Sequence, residues 1–455
     1  MSEDWDKLAG EQGEEIATSH FKRAFALGSM GARVSASALA GKLGSMVMPA
    51  SKEKRDAYLE AAYTKNAHRV VEALGKLKGA SMKVGQMLSV DPELLPPEFA
   101  SVMSSLQSQA PPMTYATVKA QIERAFDLPI EDVFSYFDPS PVGAASIGQV
   151  HRARLISGED VAVKVQYPKV AESLESDLKS LRSLLSYGRA VFEKQRLDAY
   201  LSEVREVIIQ EADYLAEARN LEGFGEVVRA REGLSAPRPY MQWTRPCVLV
   251  MEFMEGRPLE EALREMGPGQ RRDQLLVRWV DTYAWMFHVC HELHADPHPG
   301  NFLLDAQDNL VLLDFGCIKS FDPALTDGFL DVLDACWQNE PARAIASYAR
   351  MGFGTGSTKE SRLEPELLLE YHRIILAPFL EDAPFDFASW SPTREGKLFV
   401  LRHPSLLALA PPPQVLSFFR VLSGIKGLLS KMDARLNVYQ MAREMARERG
   451  RLTLT

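Results

Sequence analysis

The chain has 455 residues, 46% of them hydrophobic and 25% charged, with a formal net charge of −9 at pH 7. That length suits two or three domains with a sizeable core, and the acidic balance excludes non-specific nucleic-acid binding by the molecule as a whole. Four cysteines, Cys247, Cys290, Cys317 and Cys336, show no C-x-x-C spacing, which fits reduced thiols in a cytosol-like compartment rather than a disulfide framework.

Residues 1–50 open on the acidic run MSEDWDKLAGEQGEE, where a secretory leader would be basic. From Phe25 to Met48 a helix rich in small residues is expected, with Gly28, Gly31, Gly41 and Gly44 allowing close packing. Arg33 and Lys42 interrupt it, and no stretch of the chain reaches about 18 uninterrupted apolar residues, so no transmembrane helix is expected. The segment suits a partner, a membrane surface or the protein's own body. The resulting expectation is a cytoplasmic protein with peripheral membrane association. Residues 51–112 are expected to form a helical extension: Ala73, Leu74, Leu77, Ala80, Met82, Met87 and Leu88 recur at three- and four-residue steps. Inside it lies LKGASMKVGQMLS, where Lys83 taken alone is a solvated helix residue. Pro111 and Pro112 close the extension.

Residues 113–255 have the pattern of a kinase-like small lobe. Pro141 to Leu155, PVGAASIGQVHRARL, reads as a small-residue turn entering a strand. An ordinary protein kinase has G-x-G-x-x-G here, whose backbone covers the phosphates of the nucleotide. This chain instead has Gly143, Ala144, Ala145 and Ser146, and alanine stiffens the backbone, so altered nucleotide handling is expected. A second strand, VAVKVQ from Val161 to Gln166, places Lys164 on the face opposite Val163 and Val165. The lysine of a V-A-I-K strand reaches the α- and β-phosphates in this way, the plain alternative being a surface lysine with a buried stem. Helices are predicted over Val170–Tyr187 and Leu197–Asn220. The second ends in QEADYLAEARN and offers Glu211, Asp213 and Glu217. A kinase pairs its strand lysine with one helix-borne glutamate, and spacing leaves both Glu211 and Glu217 open. Cys247 to Gly256 reads as a last strand feeding a hinge, with the backbone of Glu252 to Met254 facing an adenine edge.

Residues 256–455 are predominantly helical. A helix from about Gln270 to His294 carries Leu276, Val280, Tyr283, Phe287, Cys290 and Leu293 as its core-facing stripe. It delivers the chain to HADPHPGNFLLDAQDNLVLLDFG, His294 to Gly316. Asp296 followed five positions later by Asn301 matches the D-x-x-x-x-N of a kinase catalytic loop, and Asp314 opens a D-F-G. A hairpin between them brings Asn301 beside Asp314. Their oxygens can then hold Mg²⁺ on nucleotide phosphates while Asp296 faces the acceptor. D-F-G alone is ordinary turn chemistry; the ordered set carries the signal. A zinc reading of His288, His291, His294 and His298 fails, because Pro297 and Pro299 break the helix it needs and HELH is not H-E-x-x-H. His288 and His291 are expected on the preceding helix as structural residues. After D-F-G, Asp322-Pro323 starts a new helix with no long activation loop and no A-P-E, so the platform for a peptide substrate is missing. The basic MAREMARERGR near the C-terminus is expected to be a solvated helix, with docking on an anionic membrane as the alternative.

K-x-G-Q at Lys83 to Gln86, the alanine-rich Gly143 to Ser146, V-A-V-K ending at Lys164, E-x-D at Glu211 to Asp213, D-P-H-P-G-N at Asp296 to Asn301 and D-F-G at Asp314 together resemble the UbiB/ADCK atypical kinase-like family. The likeness runs from about Phe25 to Met445, includes APFDF at Ala383 to Phe387, and is closest to the mitochondrial coenzyme-Q branch. It implies an α+β, protein-kinase-like two-lobe fold with a helical N-terminal extension and extra helices in both lobes. The implied cofactors are ATP and Mg²⁺, and the implied activity is ATP hydrolysis or phosphorylation of a small or lipid-like molecule in support of ubiquinone biosynthesis. Catalytic roles fall to Asp296, Lys164 and Lys83, with Lys83 and Gln86 lying across the active site, Lys83 near Glu211, and Glu217 paired with Lys164. Implied partners are a lipid or quinone precursor, a peripheral membrane contact and a homodimer. The rival from another class is a non-catalytic, nucleotide-gated binding protein for a lipid or quinone precursor, and a conventional protein kinase ranks third.

Overall fold

The computed structural model describes residues 113–145, 147–168, 209–354, 363–412 and 414–453. Lys83, Gln86, Ser146, the small-residue segment and the helix expected over Val170–Tyr187 lie outside the described residues. The chain divides into two compact units, Met1–Glu222 with Pro237–Phe253, and Gly223–Ala236 with Met254–Thr455.

In the first unit α1 (Tyr115–Phe126) starts on Thr114, whose side chain accepts a hydrogen bond from the Thr117 N–H, and stops at Asp127 in the left-handed region (φ 55°). Its buried positions Val118, Ile122 and Phe126 fall four residues apart on one face. Three strands follow: β1 (Phe134–Ala145), β2 (Gly148–Leu155) and β3 (Asp160–Gln166). Gly158, at φ 105°, makes the turn between β2 and β3, a conformation that side-chain-bearing residues adopt poorly. Next come α2 (Tyr214–Arg229), whose first turns belong to this unit, β4 (Leu234–Ser235), which belongs to the other unit, and β5 (Val248–Glu252). The sheet has the order β1-β2-β3-β5 and every pairing is antiparallel.

Val161, Val163 and Val165 of β3 pack with Val248 and Val250 of β5 against the α1 face, forming one apolar cluster. β-branched residues suit this pleated, buried surface. Lys164 sits on the other face of β3, yet it too is buried, so β3 lacks the buried–exposed alternation of a one-sided strand. Two sequence expectations differ here. Gly143 and Ala145 do not form a turn: β1 extends through Ala145, with Gly143 opposite Val150 and Ala145 opposite Gly148. The helix expected over Leu197–Asn220 is interrupted at Ala212 and Asp213, and the helix that starts at Tyr214 runs on to Arg229. Gly223 and Gly225 lower its local propensity, but burial of Phe224 and Val228 outweighs that.

The second unit continues with β6 (Arg257–Pro258), α3 (Leu259–Met266), α4 (Gln270–His288), β7 (Glu292–His294), β8 (Phe302–Leu304), β9 (Leu310–Leu312) and β10 (Ile318–Ser320). Beyond them lie α5 (Pro323–Trp337), α6 (Pro341–Arg350), α7 (Pro365–Ile375), β11 (Phe385–Asp386), α8 (Pro392–Arg402), α9 (Val415–Lys431), β12 (Arg435–Leu436) and α10 (Tyr439–Glu448). Proline opens α5, α6, α7 and α8, where its missing N–H would have had no helical partner anyway. A small sheet has the order β4-β9-β8-β6, and β7 pairs with β10.

The apolar periodicity of α4 predicted helix to His294, but the helix ends at His288. His291 turns the chain at φ 55°, and strand pairing of His294 with Ile318 wins over local pattern. The core is aromatic: Phe287 stacks on Phe418 with centroids 4.0 Å apart, and Trp279 and Tyr283 pack edgewise on Phe302. The C-terminal basic residues are not simply solvated. Arg449 and Arg451 both bond the Asp327 carboxylate on α5, at 3.1 and 2.6 Å. Among the described residues no helix is long and apolar enough to cross a membrane.

Candidate functional site

The polar centre of the first unit is a buried ion pair. Lys164 Nζ donates to both oxygens of Glu217, each at 2.9 Å, and the two side chains are only 9% and 2% exposed. β3 holds the lysine between Val150 of β2 and Leu249 of β5. α2 holds the glutamate in its first turn, where the Asp213 carboxylate accepts from the Ala216 N–H and orders the helix start. The Tyr214 ring lies 5.1 Å from Lys164 Nζ and adds a cation–π contact. Glu211 is buried just before the helix begins, and Gln166 Nε2 bonds the Ala212 carbonyl between them. Gly148 follows from close approach: a Cβ there would come within 2.3 Å of the Val165 carbonyl oxygen. Glu252 closes β5 with its N–H on the Arg238 carbonyl, and the next N–H, of Phe253, bonds Asp160 O. Met254 begins the other unit.

The polar centre of the second unit is built around the β8–β9 hairpin. β7 and β10 run antiparallel, and the Ala295 N–H bonds the Cys317 carbonyl at 2.8 Å. The loop then carries Asp296 to Asn301. Asn301 Nδ2 donates to the Asp296 backbone oxygen and to its Oδ2, both at 3.1 Å. His298 Nδ1 accepts from the Gly300 N–H at 3.1 Å and caps the short turn that follows. Phe302 pairs with Leu312 across the hairpin, and Asp305 ties the turn by accepting from the N–H groups of Gln307 and Asn309. The Leu313 N–H returns to the Asn301 carbonyl at 2.9 Å, which brings Asp314 next to Asn301. Asp314 Oδ1 accepts from the Gly316 N–H at 2.8 Å, an Asx turn within D-F-G. Beneath the loop the Tyr283 hydroxyl is buried, and burial together with the Asp296 carboxylate pushes its pKa well up, so it stays neutral.

The structure therefore gathers Asp296, Asn301 and Asp314 in one unit, and Lys164 with Glu217 in the other. Gly143 and Ala145 are strand residues beside Gly148, and the Ala144 backbone pairs with Gln149. The residue that sequence reading missed is Arg420 on α9. Its Nη2 bonds the Ala295 carbonyl at 2.5 Å and lies 3.9 Å from Cys317 Sγ. It stands 125 positions from Ala295 with no motif around it, so only the folded chain reveals it. His288 and His291 do have structural partners, the Thr326 carbonyl and hydroxyl respectively, and burial depresses the His288 pKa to about 4.

The chain as a whole has counterparts among known proteins. The model of the ABC1 atypical kinase-like domain matches residues 105–348, more than half of the chain. The chain belongs to the ABC1/UbiB atypical kinase family. It is 31% identical over 379 residues to the mitochondrial atypical kinase coq-8 of Caenorhabditis elegans, covering 82% of this chain and 50% of the relative. It is 28% identical over 445 residues to the mitochondrial atypical kinase COQ8 of Saccharomyces cerevisiae, covering 94% and 85%. The chain thus spans about half the length of the C. elegans relative. Among solved structures it resembles Rv3197 of Mycobacterium tuberculosis, solved as a complex with erythromycin, with a TM-score of 0.57 and 25% identity over 87% of this chain and 98% of the other. The kinase-like fold of mixed helices and sheets is common to this atypical kinase family and the chain.

Proposed function

We propose that this atypical kinase binds Mg²⁺–ATP and either hydrolyses it or passes its γ-phosphoryl group to a small or lipid-like acceptor, in support of coenzyme Q biosynthesis. The carrying observation is the Asn301 bond to Asp296 at the base of a hairpin whose return strand leads to Asp314. The metal fits these residues. Magnesium takes oxygen ligands and keeps several waters, so one carboxylate and one amide oxygen are a sufficient protein share beside phosphates. Asn301 gives its amide nitrogen to Asp296, which leaves Oδ1 for a cation, and Asp314 contributes a carboxylate. Bound Mg²⁺ would neutralise charge on the phosphates.

In this reading Lys164, oriented by Glu217, donates to the α- and β-phosphates. Asp296 accepts the hydrogen of the attacking water or hydroxyl. The new bond forms to the γ-phosphorus, the bond to the β-bridging oxygen breaks, ADP leaves, and Asp296 takes the proton. Gly143, Ala144, Ala145 and Ser146 would face the nucleotide as a stiffer cover than a glycine loop, and the backbone of Glu252 and Met254 would meet its base. Lys83 and Gln86 belong to the same proposal, with Lys83 beside Glu211 as a cation that adjusts how the phosphates are held. The acceptor class is a lipid or quinone precursor met by peripheral contact with a membrane.

A second reading, a nucleotide-gated small-molecule binding protein, draws on the neighbour solved with erythromycin. Mutation separates the two. Asp314→Asn should weaken Mg²⁺-dependent nucleotide binding and abolish ATP turnover. Asp296→Asn should spare ATP affinity while lowering turnover by about 10²–10⁴-fold. Wild-type turnover in Asp314→Asn would refute the metal assignment, and turnover too low to measure in wild type, with ATP still bound, would favour the second reading.

A further inference from the structure

We infer that Arg420 is a positioning residue that sets the orientation of Asp296 through the peptide preceding it. The assignment rests on the reading of Asp296 as the group that orients the nucleophile. α9 buries Val415, Phe418, Val421, Ile425 and Leu428, and Phe418 stacks on Phe287 of α4, which fixes the helix against the element that leads into the loop. From this anchored helix the guanidinium reaches the point where two functional segments separate. Ala295 immediately precedes Asp296, Cys317 immediately follows the glycine of D-F-G, and the two are tied by the Ala295 N–H on the Cys317 carbonyl. Arg420 Nη2 bonds the Ala295 carbonyl and lies beside the Cys317 sulfur.

Two physical points turn this contact into a role. The Ala295 carbonyl and the Asp296 amide belong to one planar peptide, so holding the oxygen fixes the direction in which the Asp296 backbone starts. On the far side Asn301 Nδ2 bonds the Asp296 carbonyl, so the peptides before and after Asp296 are each fixed by a side chain. Ala295 is fully buried, and Arg420 is the donor to its carbonyl among the described residues. A buried carbonyl deprived of its donor seeks another partner and rotates its peptide to find one. The charged donor makes this a strong hydrogen bond, and a misplacement of about 1 Å in a reacting group can cost on the order of 10²-fold in rate.

The test uses the full chain carrying Arg420→Met or Arg420→Lys, each alone and combined with Asp296→Asn. Arg420→Met should lower kcat for ATP turnover about 10–100-fold with KM for ATP within about twofold, and Arg420→Lys should recover part of the loss. In the Asp296→Asn background Arg420→Met should lower kcat by less than about twofold, because both act through one group. Backbone hydrogen exchange should accelerate over residues 292–301 and stay unchanged over β1 to β3. A full additional loss in the double variant, or unchanged exchange over 292–301, would overturn the assignment. Should the protein prove not to turn over ATP, the proposed function falls, and the exchange comparison still decides whether Arg420 holds the loop. If Arg420→Met fails to fold, Arg420→Lys carries the same exchange and turnover tests.

Discussion

Lys164 and Glu217 form an ion pair whose contribution to stability is smaller than its 2.9 Å geometry suggests. Both side chains are almost fully withdrawn from water, so much of their mutual attraction is offset by lost solvation. Glu217→Leu should destabilise the protein by about 3–5 kcal/mol, since it removes the carboxylate that accepts both hydrogen bonds from the buried Lys164 ammonium. Adding Lys164→Met should recover most of that stability while nucleotide binding stays lost. Chemical denaturation of the two variants checks this; a double variant no more stable than the single one would make the pair a structural necessity. Which glutamate pairs with Lys164 was not legible in spacing, because Glu211 and Glu217 lie in one helical-looking run. The fold decides it locally: the helix starts at Tyr214, after the Asp213 cap, so Glu217 falls in its first turn and Glu211 precedes it. The proximity of Asp296, Asn301 and Asp314 is legible, because a short hairpin converts fixed sequence offsets into nearness with little help from the rest of the chain. Arg420 was not, since a single arginine in an amphipathic helix carries no offset to anything.

At the scale of elements, local signals succeeded where they reinforced the fold and failed where distant pairing overrode them. Asp322-Pro323 marked the start of α5 because cap and fixed φ act within one turn. The end of α4 departs from the apolar periodicity because the partner of β7 lies beyond the hairpin, at Ile318 to Ser320. The basic C-terminus departs from the solvated helix its sequence suggests for a similar reason: the counter-charge of Arg449 and Arg451 sits on α5, more than a hundred residues upstream. Burial alone would raise the Asp327 pKa, but hydrogen bonds from Arg451 and Arg449 overcome it and hold the carboxyl below its usual range. A carboxyl whose pKa is depressed by folding contributes stability above its unfolded pKa, and that contribution is lost as pH falls through the folded value. Asp327→Asn should therefore lower the melting temperature at neutral pH, by an amount equivalent to about 1.5–3 kcal/mol for charge-assisted hydrogen bonds. The difference from wild type should shrink as the pH drops below about 4. A gap that stays constant down to pH of about 3 would mean that the tail is held by packing rather than charge.

At the scale of the whole molecule, the polar groups assembled by the fold come in two sets that do not share a unit: Lys164 with Glu217, and Asp296 with Asn301 and Asp314. Family membership was visible in the motifs, but motifs leave open whether both sets act on one ligand, because neither set has a sequence offset to the other that structure must respect. Ligand linkage can answer this without any assay of turnover. A ligand that binds only the folded state stabilises it by about 2.7 kcal/mol at a hundred times its Kd, whichever residues it touches. If one nucleotide uses both sets, Lys164→Met and Asp314→Asn should each remove most of the ATP-induced rise in melting temperature, although they alter different units. They should differ in their response to metal. Wild type and Lys164→Met should lose any residual shift when EDTA replaces Mg²⁺, whereas the small shift left in Asp314→Asn should no longer depend on Mg²⁺, because its carboxylate is the anionic protein ligand. The quantity to compare is the shift with and without nucleotide for each variant, so that the intrinsic destabilisation from losing the Lys164–Glu217 bond cancels. A full ATP-induced shift in Lys164→Met would confine the nucleotide to the Asp314 unit, and a full shift in Asp314→Asn would confine it to the other.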